Sequence, residues 1–447
     1  MVATKVTPKG DIVISRWWQL VAAVIAMMAI ANLQYAWTLF TTPLTQTLGQ
    51  TLAAVQVAFA AFVLAETWLV PFEGALVDYL GPRAVIMAGG ILVGLGWIGA
   101  GLTHSLWGLY VSYAIGGIGA GAVYGACIGH SLKWFPDHRG LCAGTVAGAY
   151  GIGTAVTVAP IARMINTSGY AHTFVVWGFI QGIAVVLMGF FIVRPPAGWA
   201  PEGWTAEKEA AIRARINTSV GDMAPVQMVR HGSFWAIYLM MALMAFTGLV
   251  VTAQLKPIAV FYQVDKVVVA FGMTALILAI QLDRILNGLT RPFWGWVSDH
   301  IGRENTMFIA FGLQSLTILA LLQLIHRPVW FIVLSGLAFF SWGEIFSLFP
   351  SVTGDLFGKK YATTNYGIVY TAKGLASIFA GPVAALARQA AGSWVPVLWA
   401  MVICSAVDAV LALVLLKPLA RRTVQASSMM RGAAPGLPAH SMAGGSD

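Results

Sequence analysis

The chain is poor in charge. Only 10% of its 447 residues are Asp, Glu, Lys or Arg, whereas a soluble domain carries roughly a quarter. Hydrophobic residues make up 58%, so there is too little polar surface to cover a water-soluble globule of this length. The composition excludes a soluble protein and predicts a polytopic membrane protein.

Cysteine is scarce as well. Cys127, Cys142 and Cys404 all lie in apolar segments, and an odd number gives no disulfide framework. The sequence shows no nucleophile–base pair, metal-ligand spacing or cofactor loop. A glycine-rich stretch over 117–129 repeats every four residues, which is typical of close helix packing. We therefore expect no enzyme activity, no cofactor and no metal site.

Long apolar segments are what the chain does contain. There are twelve, and each is long enough to cross the ~30 Å hydrocarbon layer as a helix. They predict an all-α membrane protein with two six-helix bundles, over 17–194 and 233–417. Between the bundles lies a connection, 195–232, in which residues 205–215 are predicted to form a surface helix. A short N-terminus, 1–16, precedes the first bundle. A tail over 418–447 follows the second bundle; it is rich in Gly, Ser and Pro and is predicted to be disordered. The predicted spans are 17–40, 52–77, 84–102, 106–132, 141–162, 171–194, 233–256, 268–296, 304–325, 328–350, 363–387 and 394–417.

The basic residues predict the orientation. Of the 26 Lys and Arg, 18 fall on the side that holds both termini and the central connection, which is the cytoplasmic side by the positive-inside rule. The sequence thus predicts a multi-pass protein of the cytoplasmic (inner) membrane with both termini in the cytoplasm. This distribution accounts for most of the net charge of +9, so the lipid bilayer is the expected surroundings and no nucleic-acid partner is expected. We expect a monomer. The side opposite the termini holds five of the Lys and Arg residues: Arg163, Lys256, Lys266, Arg327 and Arg388.

Two loop motifs repeat between the halves. "GALVDYLGPR" and "GWVSDHIGRE" each join a second span to a third, and their matched positions are 221 residues apart. Two sets of six spans with this paired motif resemble the major facilitator superfamily. The resemblance implies alternating access, in which two bundles rock about a central site. The gating-motif residues are Gly74, Asp78, Gly81 and Arg83, and Gly295, Asp299, Gly302 and Arg303.

Several ionisable residues fall inside the spans, where each costs ~2.5–3.5 kcal/mol on insertion scales and is a functional candidate. Lys373 is 13 residues beyond Lys360, about 20 Å inward and near the midplane. Arg291 is eight residues before Asp299, about 12 Å inward, and Arg284 is two turns deeper on the same face. The full set is Glu66, Glu73, Asp283, Arg284, Arg291, Glu344, Lys373 and Asp408.

The central cations need anions, and the sequence allows two sources. One is a network within the protein, such as Lys373–Glu344 or Arg284–Asp283, with Glu66 as a further acid. The other is a substrate, which the aromatic and amide neighbours of Arg291 and Lys373 favour. These neighbours are Gln34, Tyr35, Gln56, Tyr124, Tyr150, Trp342, Phe346 and Tyr370.

A narrower resemblance follows from "LQYAWTLF", "AAVQVAF", "WFPDHRGL", "GLTRPFWGWVSDHIGREN", "SWGEIFSLFPS" and "NYGIVYTAKGLASIF". In order and spacing these segments resemble the oxalate:formate antiporter family. The resemblance implies that Arg291 and Lys373 grip a dicarboxylate. It also implies a cage of aromatic and amide side chains at Gln34, Tyr35, Gln56, Tyr124, Tyr150 and Trp342.

The chain also departs from that family. Phe346 replaces a tyrosine and Tyr370 a tryptophan, and Glu66, Asp283 and Glu344 add acids that the family's oxalate carrier lacks. We expect exchange of oxalate for formate. The alternative is a proton-coupled carrier of monocarboxylates such as formate or pyruvate, in which Glu344 approaches Lys373. A sensor or a multidrug exporter fits less well, because there is no output domain and the central site is basic.

Overall fold

The computed structural model of the protein describes residues 5–6, 12–13, 15–135, 139–196, 200–201, 205, 222–358 and 361–422. Most of the central connection lies outside these ranges, as does the chain beyond residue 422. The predicted surface helix over 205–215, apart from position 205, and the predicted disorder of the tail over 423–447 therefore fall outside the described residues.

The first half is helical from residue 16 onward, because only helices satisfy every backbone polar group of an isolated segment within lipid. Side-chain caps fix two of the starts. The Thr51 hydroxyl accepts the Ala54 amide, and the Ser105 hydroxyl accepts the Gly108 amide. After a two-residue antiparallel pair, β1 (Lys5–Val6) and β2 (Ile12–Val13), the helices are α1 (Arg16–Tyr35), α2 (Trp37–Leu48), α3 (Leu52–Trp68), α4 (Val70–Leu80), α5 (Pro82–Leu102), α6 (Leu106–Trp134), α7 (Arg139–Ile152) and α8 (Thr154–Phe191).

The second half repeats this pattern. π-helical turns at Phe379–Val383, around Pro382, and at Ala412–Leu416 follow two of its helices. The elements are α9 (Pro225–Met228), α10 (Gly232–Phe261), β3 (Val268–Ala270), β4 (Met273–Thr274), α11 (Ala275–Ile301), α12 (Arg303–Leu324), α13 (Pro328–Trp342), α14 (Ile345–Phe357), α15 (Ala362–Ile378), α16 (Ala384–Ala391) and α17 (Val395–Leu411).

Helix α8 contains two crossings rather than one. Its 38 residues would be about 57 Å long, well beyond one hydrocarbon layer. At Gly169 the backbone has φ 81° and ψ 163°, a conformation that favours glycine and breaks the helix. The break separates the fifth and sixth predicted spans.

Each of the twelve predicted spans is helical over most of its length. Within the described residues, nine helical stretches are long and apolar enough to cross a membrane on their own. One of them, Gly144–Phe191, holds the two crossings separated at Gly169. The other two spans are α3, which is only 17 residues long and continues into α4, and α11, whose Asp283, Arg284 and Arg291 reduce its apolar character.

The predicted start of the eighth span, at residue 268, is wrong. Residues Val268–Ala270 and Met273–Thr274 form a short antiparallel hairpin, and the helix begins at Ala275. The turn contains Phe271 and Gly272, both with positive φ. The apolar run there is rich in valine, which favours strands as readily as buried helices.

The halves meet mainly along four pairs of helices: α3 with α15, α7 with α11, α8 with α11, and α2 with α10. Helix α3 also packs on the π-helical turn Phe379–Val383. Small residues allow the backbones to approach closely. A Cβ on Gly374 of α15 would lie 2.5 Å from the Thr67 hydroxyl of α3, and one on Gly151 of α7 would lie 3.1 Å from the Asn287 carbonyl oxygen of α11. The polar residues of the candidate site lie between the halves, near these contacts.

Candidate functional site

Lys373 is fully buried in α15 and all three of its ammonium protons have acceptors. Its Nζ lies 2.9 Å from Glu66 Oε2, 3.0 Å from Gln34 Oε1 and 3.0 Å from the Tyr370 hydroxyl. The Lys373–Glu66 contact is a salt bridge with both side chains at most 1% exposed. A charge buried this deeply is tolerated only with a partner. In this structure the partner is Glu66 of α3.

Tyr150 completes the network from α7. Its hydroxyl lies 2.8 Å from Glu66 Oε1 and 3.0 Å from Gln34 Oε1. Gln34, Glu66 and Tyr150 come from the first half, whereas Lys373 and Tyr370 come from the second. The network therefore joins the two halves at the centre of the protein.

Arg291 of α11 is the second central cation. One of its terminal nitrogens donates to the Ala147 carbonyl, and its Nε has no hydrogen-bond partner among the described residues. Within the same part of the chain, it forms no ion pair with a carboxylate. Its guanidinium carbon lies 4.5 Å from the Phe346 ring centroid, and Lys373 Nζ lies 5.6 Å from the same centroid. Both cations thus face one aromatic ring.

Aromatic rings line the region between the two cations. Neighbouring rings have centroids 5.3–6.4 Å apart, within the range of favourable aromatic contacts. Tyr366 extends the row, with its ring centroid 5.6 Å from that of Tyr370. The sequence prediction left Tyr366 out, although its position four residues before Tyr370 places the two rings on the same face of the helix. In order of contact the predicted rings are Tyr35, Tyr150, Tyr124, Tyr370, Phe346 and Trp342.

Arg284 is buried against the same wall. Its guanidinium carbon lies 4.3 Å from the Tyr35 ring centroid and 4.1 Å from that of Phe339. None of its three side-chain nitrogens has a hydrogen-bond partner among the described residues. The alternative Arg284–Asp283 salt bridge does not form, because consecutive residues of a helix project about 100° apart. The contact with Tyr35 places Arg284 beside the central region.

Glu344 does not reach Lys373. It is fully buried at the junction of α13 and α14, and its carboxyl oxygens have no hydrogen-bond partner in the described part of the chain. The ionisable group near enough to influence it is another buried acid, Asp408 of α17, within the second half. The predicted Lys373–Glu344 pair is therefore absent from this structure, and Glu66 takes that position.

Gln56 lies apart from the charged cluster. It is ten residues before Glu66 on α3, about 15 Å along the helix axis. Its Nε2 donates to the Ala253 carbonyl at 2.8 Å and to Gln254 Oε1 at 3.0 Å, and its Oε1 accepts from Trp37 Nε1 at 2.9 Å. Gln56 thus bridges the halves at the end opposite the loop motifs, rather than joining the Lys373 network.

The loop motifs adopt the same backbone conformation in both halves. Gly81 has φ 95° and ψ 158°, and Gly302 has φ 88° and ψ 156°. Arg303 lies 2.6 Å from Asp299 and 3.2 Å from Asp355, whereas the Arg83 guanidinium packs on Phe190. A Cβ added at Gly295 would meet no atom of the described residues within 4 Å. The side-chain surroundings of Gly74 and Asp78 lie outside what the structure describes.

Comparison with known proteins decides the family. The sequence model of the Major Facilitator Superfamily matches residues 21–288 and 285–439 of this chain. The chain belongs to the major facilitator superfamily. It is therefore an all-helical, multi-pass membrane transporter and not an enzyme, as the sequence predicted.

Curated relatives carry related names. The chain is 36% identical to the oxalate:formate antiporter of Oxalobacter formigenes, over 82% of this chain and 84% of that protein. It is 27% identical to the uncharacterized MFS-type transporter YhjX of Escherichia coli (strain K12), over 81% and 86%. It is 22% identical to monocarboxylate transporter 14 of Mus musculus, over 70% and 73%. These matches support the family and a secondary-transport function.

Proposed function

We propose that this transporter carries small carboxylate anions. The observation that carries the proposal is Arg291, a buried guanidinium with an unused Nε donor and no carboxylate partner among the described residues. A planar guanidinium binds a carboxylate through two parallel hydrogen bonds. The adjoining rings would exclude water and limit the length of the bound anion.

Exchange of oxalate for formate is one form of this function. Its support is the 36% identity to the Oxalobacter formigenes antiporter. In that form Arg291 binds one oxalate carboxylate and Lys373 binds the other. The second contact requires Lys373 to release Glu66, because its three protons are already donated.

Transport of a monocarboxylate is the second form, and the Lys373–Glu66 pair favours it. The Lys373–Glu66 pair is neutral overall, so Arg291 is the cation beside Phe346 that has no carboxylate partner among the described residues. Formate or another short monoanion would neutralise that charge. Proton coupling through Glu344 has no geometric basis here, because Glu344 lies beside Asp408 instead of Lys373.

The transport cycle follows from the position of the site. Gln34, Glu66 and Tyr150 belong to the proposed bundle 17–194, whereas Arg291 and Lys373 belong to the proposed bundle 233–417. An anion bound between the bundles neutralises Arg291 and favours closure of both around it, since a desolvated charge needs a partner. Rocking of one bundle against the other then exposes the anion to the other side.

The transport proposal is tested with purified protein in liposomes. Uptake of radiolabelled formate and oxalate is measured for the wild type, for Arg291→Gln and for Arg327→Gln, an exposed arginine that serves as the matched control. We expect uptake of at least one anion by the wild type and the control, and its loss in Arg291→Gln. Uptake of neither anion by the wild type, or equal uptake by Arg291→Gln, would contradict the proposal.

The proposed orientation places both termini in the cytoplasm and rests on the distribution of Lys and Arg. It is tested by fusing green fluorescent protein or alkaline phosphatase to the C-terminus. We expect the fusion with green fluorescent protein to be fluorescent and the fusion with alkaline phosphatase to be inactive. An active phosphatase fusion and a dark fluorescent-protein fusion would contradict this orientation.

A further inference from the structure

Glu66 places a carboxylate of the protein on the lysine that a dicarboxylate substrate would need. Glu66 and Lys373 come from opposite halves, and both side chains are at most 1% exposed. Lys373 Nζ lies 2.9 Å from Glu66 Oε2. We propose that Glu66 occupies the position of a second substrate carboxylate on Lys373 and thereby makes the carrier select monocarboxylates over dicarboxylates. This inference rests on the proposed carboxylate transport and specifies its substrate class.

The hydrogen bonds give the first argument. Glu66 Oε2 accepts from Lys373 and Glu66 Oε1 accepts from Tyr150, so both carboxylate oxygens are used. Gln34 and Tyr370 take the remaining protons of Lys373. A substrate carboxylate gains access to Lys373 only by displacing Glu66, which would leave an unpaired charge in a buried site.

The charges give the second argument. With Lys373 and Glu66 neutralising each other, a monoanion on Arg291 leaves these three side chains and the anion with no net charge. A dianion leaves the same group with one negative charge in a buried region, which is costly. Arg284, at the Tyr35 end of the row of rings, is not part of this group.

The choice of partner gives the third argument. Glu66 contacts Lys373 and not Arg291, which keeps an Nε donor without a partner among the described residues. One of the two cations beside Phe346 is therefore paired within the protein, and the other is left for a substrate carboxylate. An acid serving only to join the two halves would also contact a cation, but its removal would reduce transport of all anions equally.

The test compares formate with oxalate. Initial uptake of each radiolabelled anion at about pH 7 is measured in liposomes for the wild type, Glu66→Gln and Glu344→Gln. We expect the wild type to prefer formate and Glu66→Gln to raise the oxalate-to-formate ratio at least about tenfold, because the second cation becomes free. Glu344→Gln, the same substitution at a buried acid away from Lys373, should leave the ratio unchanged.

Two further variants keep the test decisive if Glu66→Gln folds poorly. Glu66→Asp retains the charge and should retain the preference for formate. The double variant Glu66→Gln/Lys373→Gln removes both partners and should lose the gain in oxalate uptake while still transporting formate. Gel filtration with fluorescence detection reports the folded fraction of each variant.

The outcomes separate the two proposals. If the wild type transports neither anion, the proposed carboxylate transport fails. If it transports either anion but Glu66→Gln leaves the ratio unchanged, or if the wild type already prefers oxalate, then the role of Glu66 is overturned and carboxylate transport stands.

Discussion

The ammonium of Lys373 and the carboxylate of Glu66 are 307 residues apart in the chain and 2.9 Å apart in the structure. Each lies on a different half of the transporter, so the pair forms only when the halves meet at the centre. It neutralises Lys373 without a bound substrate and leaves Arg291 as the cation that an anion neutralises. The empty carrier therefore has one unpaired buried charge fewer when it closes.

We therefore expect net uptake by the wild type. Liposomes that contain no internal carboxylate should accumulate formate, at an initial rate within about threefold of that into formate-loaded liposomes, because Glu66 keeps Lys373 paired and the Ala147 carbonyl accepts from Arg291 during the empty return step. In Glu66→Gln, uptake into empty liposomes should fall at least about tenfold relative to loaded ones. Strict dependence of the wild type on internal formate would contradict this prediction.

A second prediction concerns stability. Lys373→Gln leaves Glu66 buried without its cation, and Glu66→Gln leaves Lys373 without its anion. Breaking one partner of a buried pair costs about 3–5 kcal/mol, whereas replacing both with neutral groups is often close to neutral. Thermal unfolding in detergent should therefore give lower midpoints for both single variants than for the double variant. Additive effects of the two substitutions would show that the pair is not coupled.

The helices could be predicted from the sequence because long apolar segments form helices in lipid. The burial of Lys373 and Arg291 could be predicted because ionisable residues within such helices face the protein interior. The partner of Lys373 could not. Glu66 and Glu344 both lie in spans near the centre, and helix rotation decides which of them faces Lys373. That rotation depends on packing between helices, such as the close contact of Gly374 with α3.

The third prediction tests Gln56 as a link between the halves. Gln56→Ala removes two donated hydrogen bonds to the second half, at Ala253 and Gln254. Each contributes about 0.5–1.5 kcal/mol, so opening at this end should become more frequent by roughly fivefold to 150-fold. The measurement is the labelling rate of a cysteine introduced at Thr42, near this end, by a membrane-impermeant maleimide, in a background without Cys127, Cys142 and Cys404.

Thr51→Ala is the matched control for Gln56→Ala. Thr51 belongs to the same end of α3, but its hydroxyl accepts only the Ala54 amide of its own helix. The control should leave the labelling rate unchanged. An equal increase in both variants would indicate local fraying of α3 rather than separation of the halves.

The last prediction tests the close contact of α3 with α15. A Cβ on Gly374 would lie 2.5 Å from the Thr67 hydroxyl oxygen and 2.7 Å from Trp68 Nε1, so Gly374→Ala must displace these side chains of α3 or move the helix itself. Overpacking of this kind costs about 1–3 kcal/mol, which corresponds to roughly a fivefold to 150-fold change in an equilibrium. We expect a formate uptake rate lower by about tenfold, with the protein still folded by gel filtration.

Gly367→Ala on the same helix provides the control for Gly374→Ala. Its added Cβ would meet its nearest neighbours, in Pro71 and Val70, at 3.7 Å, an ordinary van der Waals distance. Alanine also favours the helix over glycine by roughly 0.5–1 kcal/mol, so this variant should be at least as stable as the wild type and equally active. Equal loss of uptake in the two variants would mean that α15 needs flexible glycines. Loss in Gly374→Ala alone would mean that it needs a close approach to α3, the approach that brings Lys373 to Glu66.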